Sequence, residues 1–317
     1  YTFNKITNDY QEESRVFAFL FKDEGVFFGG SAAYKGYILN QFSIDEYNGY
    51  LRILTTDGFG DQVINRLYTY KHTLIDNKHA LKRVSLLDKG IGKPRERIYS
   101  ARFNKDQLTV VTFEQTDPLY LIDLSDPYKP AILSELEVPG FSLYQHNWSE
   151  TIVLGIGYET LDAITIGLKL SMYDISDENN ISELGRPLVL YNEDRGYTYG
   201  EALYNHKAIL FDVNRDYFGF SISKLSFRNY QYTTVNEYVI FGANLENQTP
   251  IEIKKVISHD QFYEDTNAMH FYYTPYSIQR AVYVGDYLYV ISHGAITKHD
   301  ILNEFNQVSV LKFDVVK

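Results

Sequence analysis

Two histidines and three carboxylates, Asp265 among them, crowd one short segment of this sequence. His259, Asp260, Glu264 and His270 lie within residues 259–275, beside Phe262, Tyr263, Phe271, Tyr272 and Tyr273. Imidazole with carboxylate suits zinc or harder cations, but the spacing matches no zinc motif, and these residues read better as surface polar groups. Aromatic rings interspersed with amides and carboxylates suit a sugar ring or a peptide; the competing reading is that the tyrosines cover their own loop. Residues 225–235, with Arg228, Tyr230 and Tyr232, repeat the theme, and residues 191–200 add Glu193, Asp194 and Arg195. Long loops on a rigid scaffold are common carriers of function.

A second constellation is spread along the chain. His206, Arg102, Arg280, Asp45 and Tyr144 fall at related positions of separate strand patterns. A His among carboxylates could act as a general base; a hydrogen-bond network between strands is the plainer reading. His146 is read as structural. Asp212-Val213-Asn214-Arg215-Asp216 resembles the start of a calcium loop, but Tyr217 stands where Gly is needed and Ser223 where Glu is needed, so it reads as an Asx-rich turn. Ser100 and Ser142 recur by position, which argues for scaffold over nucleophile. No Gly-x-Ser-x-Gly occurs, and Gly155-Ile156-Gly157 lacks the third Gly of a dinucleotide loop. The candidate ligand-binding residues are therefore His206, Arg102, Arg280, His259, His270, Tyr272, Tyr273 and Tyr230. No catalytic residue, metal ligand or cofactor is assigned.

Composition bounds the partners. Of 317 residues, 44% are hydrophobic and 22% charged, enough for a large core. The net charge of -11 opposes nucleic-acid binding. Basic residues are scattered, and no apolar run nears the about 18 residues that span a bilayer, so no membrane insertion is expected. With no Cys, disulfides and Cys-based zinc sites are excluded. The chain starts at Tyr1 without a signal peptide, which reads as a processed or trimmed chain. Asn147-Trp148-Ser149, Asn180-Ile181-Ser182 and Asn247-Gln248-Thr249 are glycosylation sequons, meaningful only in a host that uses them.

The elements that position these residues are strands. Aromatics make up 16% of the chain, a bias that favours pleated, half-buried surfaces. An aromatic-Ser pair marks a cycle at Phe42-Ser43, Tyr99-Ser100, Phe141-Ser142 and Tyr276-Ser277. Each is followed by a polar turn such as Asn48-Gly49 or Gly285-Asp286, then by three more apolar strands. The stretch Leu119–Pro130 ends the third strand in an Asp- and Pro-rich turn, and Leu170–Asp177 repeats it. A further unit lacks the aromatic-Ser pair; its strands are expected at 207–211, 217–222, 238–243 and 252–257. Asn77–Leu87 is the best helix candidate, but it lies where a fourth strand is due. Four-stranded units recurring every roughly 40 to 60 residues signal an all-β fold, a β-propeller of antiparallel blades, more than a sandwich. The units run 34–90, 91–139, 140–191, 192–258 and 259–317, with strands of a partial blade at 1–33, in a single domain. In such a fold the first strands would line a channel. Loops between units would form the working face, and the turn at Ser125–Pro130 would lie opposite.

The motifs resemble a family of secreted bacterial and archaeal proteins with a C-terminal β-propeller domain. The resemblance rests on Gly36–Arg52, Arg97–Phe103, Val111–Pro130, Leu154–Gly157 and Glu201–Ala208, in that order, and covers about residues 25 to 317. It implies fold and export, with a secreted or cell-surface location, and no activity or catalytic residue. It also implies propeller sequence before this region, so that the first blade is incomplete or completed by another segment.

The expected function is a binding module for a protein or glycan through its loop face. A hydrolase or lyase acting on polysaccharide or peptide at the channel mouth is the alternative, and a purely structural surface module a third. Oligomeric state is not legible.

Overall fold

Two-residue turns set the hairpins. In a computed structural model of the chain, Asn48 and Gly49 both take positive φ, 52° and 79°, and so do Asp76 and Asn77, 49° and 59°. Such turns carry the twist that right-handed strands require. The structure describes residues 2–6, 12–113, 117–162, 164–192, 196–228, 231–262 and 274–314.

Strands β1 (Thr2–Ile6), β2 (Glu12–Lys22) and β3 (Gly25–Lys35) form a three-stranded antiparallel sheet. Strands β4 (Ile44–Tyr47), β5 (Tyr50–Asp57), β6 (Ile64–Ile75) and β7 (Lys78–Leu87) form a meander of four. Another consists of β8 (Arg97–Asn104), β9 (Gln107–Phe113), β10 (Asp117–Asp123) and β11 (Ala131–Val138). In the next sheet, β12 (Phe141–Asn147), β13 (Ile152–Leu161) and β14 (Ile164–Asp174) continue into β15 (Ser182–Glu183), while β16 (Leu188–Tyr191) also pairs with β14. The fifth holds β17 (Tyr197–Gly200), β18 (Leu210–Asp212), β19 (Tyr217–Arg228), β20 (Gln231–Ala243) and β21 (Ile251–Ser258). The last is β22 (Ile278–Val284), β23 (Tyr287–Ser292), β24 (Ala295–Asp300) and β25 (Asn306–Lys312). Among the described residues the only helical pieces are short 3-10 turns. The chain is thus all-β, in the repeated four-stranded antiparallel sheets that the sequence predicts.

Two local readings change, and one ambiguity resolves to the fourth strand that the repeat requires. The helix candidate Asn77–Leu87 is strand, because the Asp76-Asn77 turn folds it back on β6, with His72 opposite Leu81. The loop expected at 225–235 is mostly a hairpin extension, paired out to Arg228 opposite Gln231. The inner strand of the fifth sheet is split. Gly200 lies opposite Ile222 and Leu210 opposite Gly219, so residues 201–209 leave the ladder as two 3-10 turns. Local bonds replace the lost pairing: Tyr204 and Asn205 donate their backbone N–H groups to the Glu201 carbonyl, and the Asn205 side chain accepts from Lys207.

The turn after the third strand is one device used repeatedly. Asp123 accepts from the N–H and hydroxyl of Ser125, Asp174 from the N–H of Ser176, and Asp300 from the N–H of Leu302. Next to each Asp a buried apolar residue donates its N–H to the first hairpin turn: Leu124 to Asp106, Ile175 to Thr151, and Ile301 to Asp286. The four marker serines, Ser43, Ser100, Ser142 and Ser277, are all buried, as scaffold residues should be.

Residues 1–141, 145–152 and 174–182 form one compact unit, and residues 142–144, 153–173 and 183–317 another. In the first, Leu54, Leu67, Leu108, Tyr120 and Ile122 build a core between sheets. In the second, Tyr217, Tyr238, Ile278, Leu288 and Phe305 do the same.

Candidate functional site

The excursion in the split strand carries charge. Arg280, on β22, forks onto Glu201: Nη1 donates to Oε2 at 2.6 Å and Nη2 to Oε1 at 2.8 Å. A planar guanidinium matched to a carboxylate is a strong, oriented pair. Asn205 Nδ2 adds a third bond to Glu201, 2.7 Å to Oε1. The Arg280 bond, opposed by partial desolvation, lowers the Glu201 pKa, and the same pairing raises that of Arg280. The two side chains are 34% and 33% exposed, so the pair is built but reachable. His206 follows directly, half-buried, at the start of the second 3-10 turn instead of opening a strand.

Tyrosines border this pair along the chain. Tyr199 stacks on Tyr204 with ring centroids 6.0 Å apart and planes 17° from parallel. Tyr204 is 66% exposed. Behind them Tyr197 donates its hydroxyl to the buried Tyr158, whose pKa is raised chiefly by burial. Gly200 lets the chain pass tightly here, since a Cβ at that position would lie 3.0 Å from the Phe220 ring.

The remaining sequence-predicted residues fall elsewhere. His259 is 0% exposed; its Nδ1 lies 2.9 Å from the Ser292 hydroxyl and its Nε2 2.9 Å from that of Thr297. Burial, with His299 nearby, lowers its pKa to about 4. Arg102 donates through Nε to the Gln145 carbonyl at 2.8 Å, and its guanidinium lies 4.1 Å from the Phe42 ring centre. Asp45 pairs with Arg52 on the neighbouring strand of its sheet. Tyr230, His270, Tyr272 and Tyr273 lie outside the described residues, as do Glu193, Asp194, Arg195 and Glu264. Of the predicted set, then, Arg280 belongs to the bonded trio with Glu201 and Asn205, and His206 follows Asn205 in the chain. Glu201 and the four tyrosines were missed, although Glu201–Ala208 was conspicuous as a motif. Among the described residues no three His, Asp or Glu side chains converge as metal ligands. In the Asp212 turn, Arg215 donates to Asp212 at 2.8 Å, which occupies the carboxylate a cation would need.

Repeated four-stranded antiparallel sheets with these inner-strand and turn devices define a β-propeller, and the chain belongs to the Beta propeller domain family, whose model matches residues 1–303. It is 34% identical over 283 residues to an uncharacterised protein of Archaeoglobus fulgidus, covering 89% of this chain and 36% of that protein. An uncharacterised protein of Methanocaldococcus jannaschii is 39% identical over 159 residues, 49% of this chain and 24% of its own length. The chain thus spans about a third or less of these relatives. Among solved structures it is similar to Chaetomium thermophilum Sqt1 bound to the N-terminus of ribosomal protein L10, at 9% identity and a TM-score of 0.39, covering 84% of this chain and 72% of that one. It is also similar to the C-terminal WD40 domain of Sif2, at 11% identity and 0.37, covering 95% and 67%.

Proposed function

We propose that this propeller is a binding module, secreted or displayed at a cell surface, that takes a protein or glycan partner through its loops. The observation that carries this reading is the one-third-exposed Glu201–Arg280 fork beside the exposed Tyr204 ring. Tyr and Arg are the residues that most often dominate interface energy, because each offers a large flat surface and an oriented polar end. An Arg already aligned by a carboxylate loses little rotamer entropy on binding. His206 opens the second 3-10 turn of the same excursion; Tyr230, His270, Tyr272 and Tyr273 stay candidates on the sequence alone.

A displayed peptide library and a glycan panel would identify a ligand for the wild-type chain. Tyr204→Ala and Arg280→Ala should then each weaken that ligand at least tenfold, with thermal unfolding nearly unchanged for Tyr204→Ala. Unaltered affinity in both variants would remove this surface from the function.

A further inference from the structure

A separate cleft lies in the first unit, built from the β4–β5 turn, the β8–β9 turn and the β10–β11 turn. Its volume is about 380 Å³, within the range of small-ligand pockets. Three phenol rings line it, those of Tyr47, Tyr50 and Tyr128. Tyr50 and Tyr128 meet edge to face, with centroids 6.2 Å apart and planes at 77°. Tyr128 is 52% exposed and forms an outer wall. The turn that carries it was expected from sequence to be a stiff connector on the face away from function. Two hydrogen bonds anchor it around Tyr128: Asp126 Oδ1 accepts from the Tyr128 N–H at 2.9 Å, and the Pro127 carbonyl accepts from Ser85 Oγ at 2.8 Å.

We propose that this cleft binds a cationic side chain, the Lys or Arg of a protein partner. Charge decides between ligand classes. The cleft's own guanidinium, Arg52, is 4% exposed and already neutralised: it donates to Asp45 through Nε at 3.0 Å and again through Nη2, and to the Lys105 carbonyl through Nη1. The Lys105 ammonium is paired with Glu150. By contrast, the exposed lining carboxylates Asp106 and Asp126 have no ion-pair partner among the described residues. An anion would meet these two carboxylates, with the Lys71 ammonium at the Tyr50 ring as the cleft's only unpaired cation among the described residues. A cation would meet them together with aromatic faces, which attract positive charge through the ring quadrupole. The net charge of -11 favours a basic partner at longer range.

The chain itself shows how such a guest is held. The Arg52 guanidinium lies 5.3 Å from the Tyr47 ring centre, and the Lys71 ammonium 5.3 Å from that of Tyr50. Lys71 is exposed, so its ammonium stands in for a guest cation at the Tyr50 ring and competes with one. Removing Lys71 should therefore improve binding of a cation, an effect that a neutral sugar would not show.

The test is an NMR titration of the whole chain at low salt with Ac-Gly-Arg-Gly-NH2 and Ac-Gly-Lys-Gly-NH2. Ac-Gly-Glu-Gly-NH2 and cellobiose serve as counter-probes. Shift changes should centre on Tyr47, Tyr50 and Tyr128 with the basic peptides alone. The double variant Asp106→Asn, Asp126→Asn should weaken them at least fivefold, and Lys71→Gln should strengthen them about twofold. Asn at 126 keeps an oxygen for the Tyr128 N–H, so this variant retains the turn. Tyr128→Ala is a second variant, at an exposed position where folding is not at stake. Stronger shifts with cellobiose, equal shifts with the acidic peptide, or no saturable shift with any basic probe would each overturn the proposal.

Discussion

His259 and His299 share a single threonine hydroxyl: Nε2 of each ring lies 2.9 Å from Thr297 Oγ1. A hydroxyl has one proton, so it must donate to one ring and accept from the other. His299 Nδ1 faces the Phe305 carbonyl at 3.0 Å, which can only accept. His299 is therefore protonated at Nδ1, Thr297 donates to its Nε2, and His259 donates to Thr297. His259 Nδ1 then accepts from Ser292, whose single proton takes this 2.9 Å contact over the longer one, 3.2 Å, to the Ala295 carbonyl.

Both rings are neutral in this arrangement, and that makes stability depend on pH. Burial lowers His259 and His146 to about 4, the latter helped by Arg102, and lowers His299 as well. In the unfolded chain each returns to the ordinary 6.5. Above that value the three contribute no pH dependence. As pH falls below it, the unfolded chain takes up protons that the folded chain refuses. Stability should fall by up to about 1.4 kcal/mol per pH unit per group until the folded values are reached. Urea midpoints at pH 7, 6 and 5 measure the slope. His259→Gln should reduce it by about one proton, and an unchanged slope would show that His259 is not the group responsible.

Gln145 is the second buried hub. Its Oε1 accepts from Thr109 Oγ1 at 2.6 Å, and its Nε2 donates to the marker hydroxyl of Ser100 at 2.9 Å. Its own carbonyl anchors Arg102. Gln145→Ala would take one hydrogen-bond partner from each of two buried hydroxyls and leave a cavity besides. The expected cost is about 2–4 kcal/mol, read from the denaturant midpoint. A loss below about 1 kcal/mol would mean that the hydroxyls find other partners.

Backbone demands at Gly36 and Gly49 separate two effects. Gly36 has φ of +83°, and a Cβ there would lie 2.5 Å from the Thr56 carbonyl oxygen. Gly49 has φ of +79° with nothing within 4 Å. Gly49→Ala should therefore cost only the left-handed conformation, about 1 kcal/mol. Gly36→Ala should cost clearly more, because the Thr56 carbonyl also accepts from Tyr37 and cannot retreat. Equal thermal shifts for the two variants would contradict the close approach.

These cases show what was legible in the chain. The strands, the Asn48-Gly49 hairpin and the buried marker serines follow from patterns within a few residues, and such patterns survive folding. The Asp123 turn was legible as a turn because Asp bonds its own backbone. Its role as a cleft wall was not, because Tyr47 and Asp106 reach it from distant hairpins. His259 read as an exposed loop residue because Asp260 and the aromatics follow it; its partners, Ser292 and Thr297, lie on the next sheet's strands. Glu201 was hidden for the same reason, since its guanidinium partner is 79 residues away. The split inner strand escaped because 207–211 is apolar enough to be a strand, while Asn205 diverts the backbone locally.

The Glu201–Arg280 fork can be measured apart from any partner. Both side chains are about one-third exposed, so water screens the pair, and a double-mutant cycle with Glu201→Gln and Arg280→Lys should give a coupling of only about 0.5–1 kcal/mol. Its clearer signature is protonation. Arg280 holds the Glu201 carboxyl below its ordinary 4.5, so the pair's contribution is present above that value and is lost as pH falls through the depressed folded pKa. Carboxyl-carbon NMR of Glu201 should show a midpoint below the ordinary one in the wild-type chain and a rise in Arg280→Ala. Asn205→Ala, which removes the weaker bond, should raise it less. A Glu201 midpoint that does not move in Arg280→Ala would mean that the fork is open in solution, and would leave the proposed contact surface without its preset Arg.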